Sequence, residues 1–188
     1  MQLEASQFNL DHDLGCKVIR GREIEHKKKM KGRFRVEHVD KDGNLKDIYA
    51  FNNDITNAGK NSIFDVYFSD ATQIAGSAWV LSLISLSGYS ALAAGDTMAS
   101  HGGWTEFTGY SESTRPAWGP GDPASQAITN ASPVTFSINA TGTVKGIFVT
   151  SQSTKGGTTG TLWATALFTG DVPVTSGDQL KVTYTISA

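Results

Sequence analysis

The sequence predicts a mainly β protein: a β-sandwich or jelly-roll-like domain with one short helix, preceded by an extended, charged N-terminal arm. Three observations lead there. Several runs alternate apolar and polar residues with a period of two, as in "RFRV" and "KVTYTI". These runs are short and separated by stretches rich in Gly, Ser and Thr. Charge is unevenly placed: twelve of the sixteen Lys and Arg and ten of the eighteen Asp and Glu fall in residues 1–60, so that part nets about +2 and the rest about −4. A chain of 188 residues suits one domain plus an arm, and can bury about 70% of its unfolded surface without covalent staples.

The compartment follows from what the residues exclude. Cys16 is the single cysteine, so no internal disulfide can form. No apolar run approaches the roughly 20 residues that span a bilayer, and the start "MQLEASQFNLDHDLGCK" lacks a basic segment followed by an apolar one. Synthesis and folding in a reducing cytosol are expected.

Residues 1–33 show no period. Phe8, Leu10, Leu14, Val18, Ile19, Ile24 and Met30 are scattered among charges, as in an extended arm that orders only against another surface. The domain is expected over 34–188. Phe34, Val36 and His38 share one strand face, "DKDGNL" supplies a turn with Asp42-Gly43 at its tip, and Ile48, Tyr49 and Phe51 lie in the return strand, which predicts a β-hairpin. Thr56 or Asn57 then caps a helix whose Ile63, Phe64, Tyr67 and Phe68 are spaced to share a face.

The remainder reads as strands. "AWVLSLISL" sets Trp79, Leu81 and Leu83 on one side; "PVTFSIN" alternates Val134, Phe136 and Ile138; "TVKGIFVT" carries Val144, Ile147 and Val149 with a bulge at Gly146. "TLWATALF" suits a buried strand, and "VPVTSGDQLKVTYTIS" a hairpin returning through Leu180, Val182, Tyr184 and Ile186. Trp79 and Trp163 are expected in the core.

Candidate chemistry is sparse. "DHD" at residues 11–13 cannot close a metal shell alone, and Asp96, Ser100 and His101 lack the nucleophile elbow and oxyanion donors of a triad. Glu106 and Glu112, six apart in a loop, fix no acid–base separation. "KGGTTG" lacks the order of a phosphate loop and reads as a flexible turn. No catalytic, metal or cofactor residue is assigned, and no enzyme is expected.

Two clusters remain. "HKKKMKGRFR" carries Lys27, Lys28, Lys29, Lys31, Arg33 and Arg35. Glu23, Glu25, Glu37 and Asp40 flank it, and only Phe34 could stack on a base, so an acidic protein surface fits it better than nucleic acid. In "SHGGWTEFTGYSESTRPAWGPGDP", Pro116 biases Arg115 to an extended conformation, so Trp104, Tyr110, Arg115 and Trp118 form an ordered loop. Its rings could bury at a subunit boundary or face a glycan.

"ITNAGKNSIFDVYF", "WVLSLI", "DTMASHGGWTEFTGYSESTRPAW", "GIFVTSQSTKGGTTGTLWATALF" and "VTSGDQLKVTYTIS", in this order, resemble a group of small structural proteins of tailed bacteriophages. The likeness runs over residues 34–188 and departs at Ser82, where a Gly is expected. It implies a virion component made in the host cytoplasm and leaves its position on the particle open. A compact β domain with a charged arm then resembles the plan of a capsid cement or decoration protein: a non-enzymatic domain bound over junctions of the major capsid protein, and a homo-oligomer with a trimer as the expected form. Neither a nucleic-acid nor a membrane partner is implied. A tail or tail-fibre adaptor, or a host-glycan-binding module, is the alternative.

Overall fold

A computed structural model describes residues 30–188 of the chain. Lys27, Lys28, Lys29, Cys16 and the "DHD" tripeptide lie outside the described residues. The described part is mainly β, with nine strands and one α-helix.

β1 (Lys31–Val39) and β2 (Leu45–Ile55) form the predicted hairpin. Gly43 at its tip takes φ +88°, which a side chain would strain. The Asp40 carboxylate accepts from the backbone N–H groups of Asp42 and Asn44 at 2.9 and 2.8 Å, which pins the turn. Because β1 begins at Lys31, both Lys31 and Arg33 belong to the domain rather than to the arm, paired with Ser187 and Thr185 across the sheet.

Thr56 caps α1 (Asn57–Phe68) by accepting from the Gly59 N–H at 3.0 Å. The helix seats its first turn on the sheet: a Cβ at Gly59 would lie 2.3 Å from the Trp163 carbonyl oxygen. Gly59 is thus the helix residue that is fully buried, while Phe64, Tyr67 and Phe68 point away. The expected shared apolar face is therefore split, with Ile63 packed toward the core and the three aromatic rings in solvent.

The other strands are β3 (Val80–Ser85), β4 (Glu106–Phe107), β5 (Ala127–Thr129), β6 (Val134–Ser137), β7 (Gly142–Thr150), β8 (Leu162–Val174) and β9 (Gln179–Ser187). All pair antiparallel in the order β4-β3-β7-β8-β2-β1-β9-β5, with β6 also on β9. β2 meets β8 through just Asp54 and Ile55, opposite Thr165 and Ala164. The strands then diverge, so the sheet curls into two facing walls and the domain is β-sandwich-like. Between the walls lie Phe34, Val36, Phe51, Leu180, Val182 and Tyr184 from one side and Leu81, Leu83, Ile147, Val149 and Phe168 from the other. Phe34 stacks on Tyr184 with centroids 4.3 Å apart.

Two local expectations hold and one does not. The β7–β8 register shifts between Val144 and Gly146, as expected of a bulge, and a Cβ at Gly146 would meet the Ala166 carbonyl at 2.2 Å. Buried "TLWATALF" opens β8. β8 and β9 do not form a hairpin, however: the end of β8 pairs with β7, whereas β9 pairs with β1, β5 and β6. The Thr175–Asp178 turn carries the chain from one wall to the other, because Val172 and Val174 already have their ladder partners on β7. Trp163 is buried as expected, but Trp79 is only half-buried, set edge-on against Trp163 at 6.0 Å. No described helix is long and apolar enough to cross a membrane.

Candidate functional site

β1 alternates cleanly. Phe34 and Val36 enter the core, and Lys31, Arg33 and Arg35 stand exposed on the outer face. β1 is hydrogen-bonded along its length to β2 on one edge and β9 on the other, so the three cations are carried on an inner strand rather than on a fraying edge. Alternate residues of a strand are about 6.5–7 Å apart, which spaces the charges evenly. Around them lie neutral neighbours: Asn52 and Thr185 flank Arg33, and Ala50 and Thr183 flank Arg35. Glu37 follows on the same face, ion-paired with Arg35, and Lys181 lies opposite it on β9. Half of the basic cluster read from the sequence thus forms a rigid stripe, and its other members, Lys27, Lys28 and Lys29, lie outside the described residues.

The loop between β3 and β5 behaves differently from expectation. Trp104 is 2%, Tyr110 1%, Arg115 2% and Trp118 5% exposed within the single chain. None is available to a sugar face or to a neighbouring subunit. The loop folds back over the outer surface of β3, β7 and β8, whose Ile84, Phe148 and Leu162 form a second apolar cluster with Met98 and Trp104. Trp118 instead enters the main core, its indole N–H donating to the Tyr184 carbonyl at 3.1 Å. Tyr110 packs edge-on against Phe136 at 5.1 Å.

Arg115 and Glu106 hold this cover down. Arg115 donates from Nε to Glu106 Oε1 at 3.0 Å and from Nη2 to Oε2 at 2.8 Å, and further to the carbonyls of Gln152 and Gly157, both at 2.8 Å. Glu106 also accepts from the Ser82 hydroxyl at 2.5 Å and the Gly156 N–H at 2.7 Å. Ser82 is thus absorbed into the network, and the "KGGTTG" turn is tied rather than free. Burial pushes the Glu106 carboxyl up, but the Arg115 and Ser82 hydrogen bonds, the Arg115 charge and the Gly156 N–H together hold it below its ordinary value of 4.5. Lys155 caps the assembly, with Nζ donating to the Tyr110 carbonyl at 2.7 Å and lying 4.0 Å from the Tyr110 ring centroid.

A second buried charge locks the wall-to-wall crossing. Asp178 Oδ2 lies 2.9 Å from each of His38 Nε2, Lys46 Nζ and the Thr175 N–H. Asp96 accepts from the Trp104 indole and the Ala93 N–H rather than meeting His101, whose Nδ1 lies 3.1 Å from the Trp104 carbonyl. The Asp96–Ser100–His101 grouping is therefore a structural turn. Sequence reasoning missed the roles of Glu106 and Asp178; a buried Arg so often requires a carboxylate that Arg115 beside Glu106 was the available signal. Among the described residues, no group of three or more His, Cys, Asp or Glu side chains could hold a metal ion. The chain matches no protein-family model and no curated protein.

Proposed function

We propose that the chain is a non-enzymatic structural protein of a tailed-bacteriophage virion. In this reading it is a cement or decoration protein, docking over junctions between major-capsid subunits and stabilising the head from its outer surface. The observation that carries the docking mode is the Lys31–Arg33–Arg35 stripe, three exposed cations on a strand braced from both sides. A preorganised row of like charge favours an acidic protein surface, steering encounter and setting register. Protein is preferred over nucleic acid because Arg35 is already paired with Glu37, and its cross-strand neighbours Ala50 and Thr183 offer no ring for base stacking.

The interior carboxylates support a structural role. Glu106 and Asp178 are each held by several donors that stabilise their ionised forms, Asp178 by His38, Lys46 and the Thr175 N–H and Glu106 by Arg115, Ser82 and the Gly156 N–H. Cementing then works by mass action: whatever binds only the assembled shell stabilises it by RT ln(1 + [L]/Kd), about 2.7 kcal/mol at a hundredfold excess over Kd. Self-association into a homo-oligomer belongs to the same reading. Since Trp104 and Trp118 are used inside the chain, it must run through another surface.

The test is co-sedimentation of the full chain with DNA-free phage shells. Wild type should saturate the shells, and Arg33→Glu/Arg35→Glu should weaken binding at least tenfold while leaving the fold intact. Binding to tails, glycans or duplex DNA but not to shells overturns the reading.

A further inference from the structure

α1 has one covered face and one uncovered face. Gly59 is buried against β8 and Ile63 packs on the core, and with 3.6 residues per turn Lys60, Phe64, Tyr67 and Phe68 fall within about 100° of arc beside that covered face. On that arc Phe64 is 58%, Tyr67 76% and Phe68 80% exposed among the described residues. Phe64 and Phe68 lean on each other with centroids 6.2 Å apart, so the rings make one ridge. Helix residues of this kind ordinarily seek cover, and here nothing within the described chain supplies it.

The size of the ridge says what kind of contact it suits. Aromatic side chains carry about 150–250 Å² each, so these three leave about 400 Å² uncovered, within the range at which an apolar patch signals contact. A stable interface takes about 800 Å² per partner, a little over half of it apolar. The ridge therefore matches the apolar half of one standard face, with Asn57, Lys60 and Asn61 as polar rim.

The order of residues along the ridge selects the partner. Lys60, Phe64 and Phe68 are spaced four apart, with Phe64 in the middle. An antiparallel crossing of two such helices at Phe64 sets Phe64 against its own copy and each Lys60 ammonium over the Phe68 ring of the other helix, a cation–aromatic contact made twice. That reciprocity is the signature of an isologous contact. The two Lys60 charges stay about 12 Å apart along the axis, beyond the screening length at physiological salt. Asp65, the one acid of the helix, falls on the flank opposite Lys60 and does not oppose the contact.

We propose that α1 is a two-fold self-contact: two copies of this chain pair through antiparallel α1 helices crossed at Phe64. This names the surface for the self-association part of the reading above, replaces the expected three-fold assembly with a two-fold one, and does not depend on the capsid.

The test uses the full chain in solution, by sedimentation and light scattering over about 1–100 μM. Wild type should show a concentration-dependent dimer. Phe68→Asp should weaken dimerisation at least a hundredfold and Lys60→Glu about tenfold, with melting curves that match wild type at concentrations where wild type is monomeric, since both side chains stand outside the fold. In a Cys16→Ser background, Phe64→Cys should give a disulfide-linked dimer on oxidation and Asp65→Cys should not. A wild-type monomer at the highest concentration, a three-fold mass, wild-type dimerisation by Phe68→Asp, or equal cross-linking through Asp65→Cys overturns the proposal. Shell binding by a strictly monomeric chain would overturn the α1 contact while leaving the capsid reading standing; a dimer that ignores shells would do the reverse.

Discussion

Replacing Arg115 by Met removes the cation at the centre of the loop cover while keeping most of its volume. Arg115 and Glu106 side chains are 1% and 7% exposed, and the guanidinium makes four hydrogen bonds. Without it, Glu106 keeps the Ser82 hydroxyl and the Gly156 N–H but remains an ionised carboxylate in the interior. Breaking a buried pair in this way costs about 3–5 kcal/mol. The carbonyls of Gln152 and Gly157 add little, because they sit in a loop near solvent and can rehydrate. Chemical denaturation followed by tryptophan fluorescence measures the loss directly. The double variant Arg115→Met/Glu106→Leu should recover about 2–4 kcal/mol relative to the sum of the single changes, since no orphan charge is left.

The pH dependence carries its own sign. In wild type the Glu106 value is depressed, so its contribution is present above the ordinary 4.5 and is lost as pH falls through the lowered value. Arg115→Met removes the Arg115 hydrogen bond and charge and leaves burial, the largest single cause, against Ser82 and Gly156 alone. The value should therefore rise past 4.5, and the variant should lose stability as pH rises through it. The deficit should accordingly be larger near pH 7 than near pH 4. A deficit under about 1 kcal/mol at neutral pH, or additive single changes, would refute the pinned-cover account.

Four further outcomes are expected. Asp178→Asn should cost about 2–4 kcal/mol at neutral pH. Burial raises the Asp178 carboxyl, but the Thr175 N–H, Lys46 and His38 hold it well below 3.8, so wild-type stability falls as pH drops below that value and the variant's urea midpoint should fall less over the same range. Gly59→Ala should lower the melting temperature by an amount corresponding to about 2–4 kcal/mol, even though Ala gains about 1 kcal/mol in helix propensity, because its Cβ collides with the Trp163 carbonyl. Trp118→Ala should cost about 3–5 kcal/mol in folding and leave any self-association constant of the folded protein unchanged, in keeping with a ring buried in its own chain. Ser125 and Gln126 both hold positive φ in a tight turn closed by paired Ala124 and Ala127 backbone bonds, so Gln126→Gly should raise the unfolding free energy measured by denaturant titration by about 0.5–1 kcal/mol.

Much of the local structure was legible in the amino-acid order. The alternation of Phe34 and Val36 with Arg33 and Arg35 assigns inner and outer faces of β1, because successive side chains of any strand point to opposite sides. Gly43 marks the hairpin tip and Thr56 the helix cap for equally local reasons, a positive φ and a hydroxyl within reach of the next turn's N–H. Even the bulge at Gly146 could be read from its place in a strand pattern.

The candidate site was legible only in part. The basic stripe follows from periodicity, but the fate of the aromatic loop does not. Trp104 and Trp118 carry the same apolar surface whether it is covered by β7 and β9 of their own chain or by a neighbour. The choice depends on Glu106 reaching Gly156, fifty residues on, and on Arg115 reaching Gly157, forty-two residues on.

By itself, then, the sequence determined the elements that backbone periodicity and short-range hydrogen bonds dictate: the β-rich class, the first hairpin, the capped helix and the outward cations. Tertiary structure alone decided that β8 and β9 belong to opposite walls, that the loop closes over its own sheet, and which face of α1 meets β8. Helix spacing defines two faces equally well, and only the close approach of Gly59 to Trp163 turns Phe64, Tyr67 and Phe68 outward, because burial depends on where distant segments arrive and not on the segment being buried.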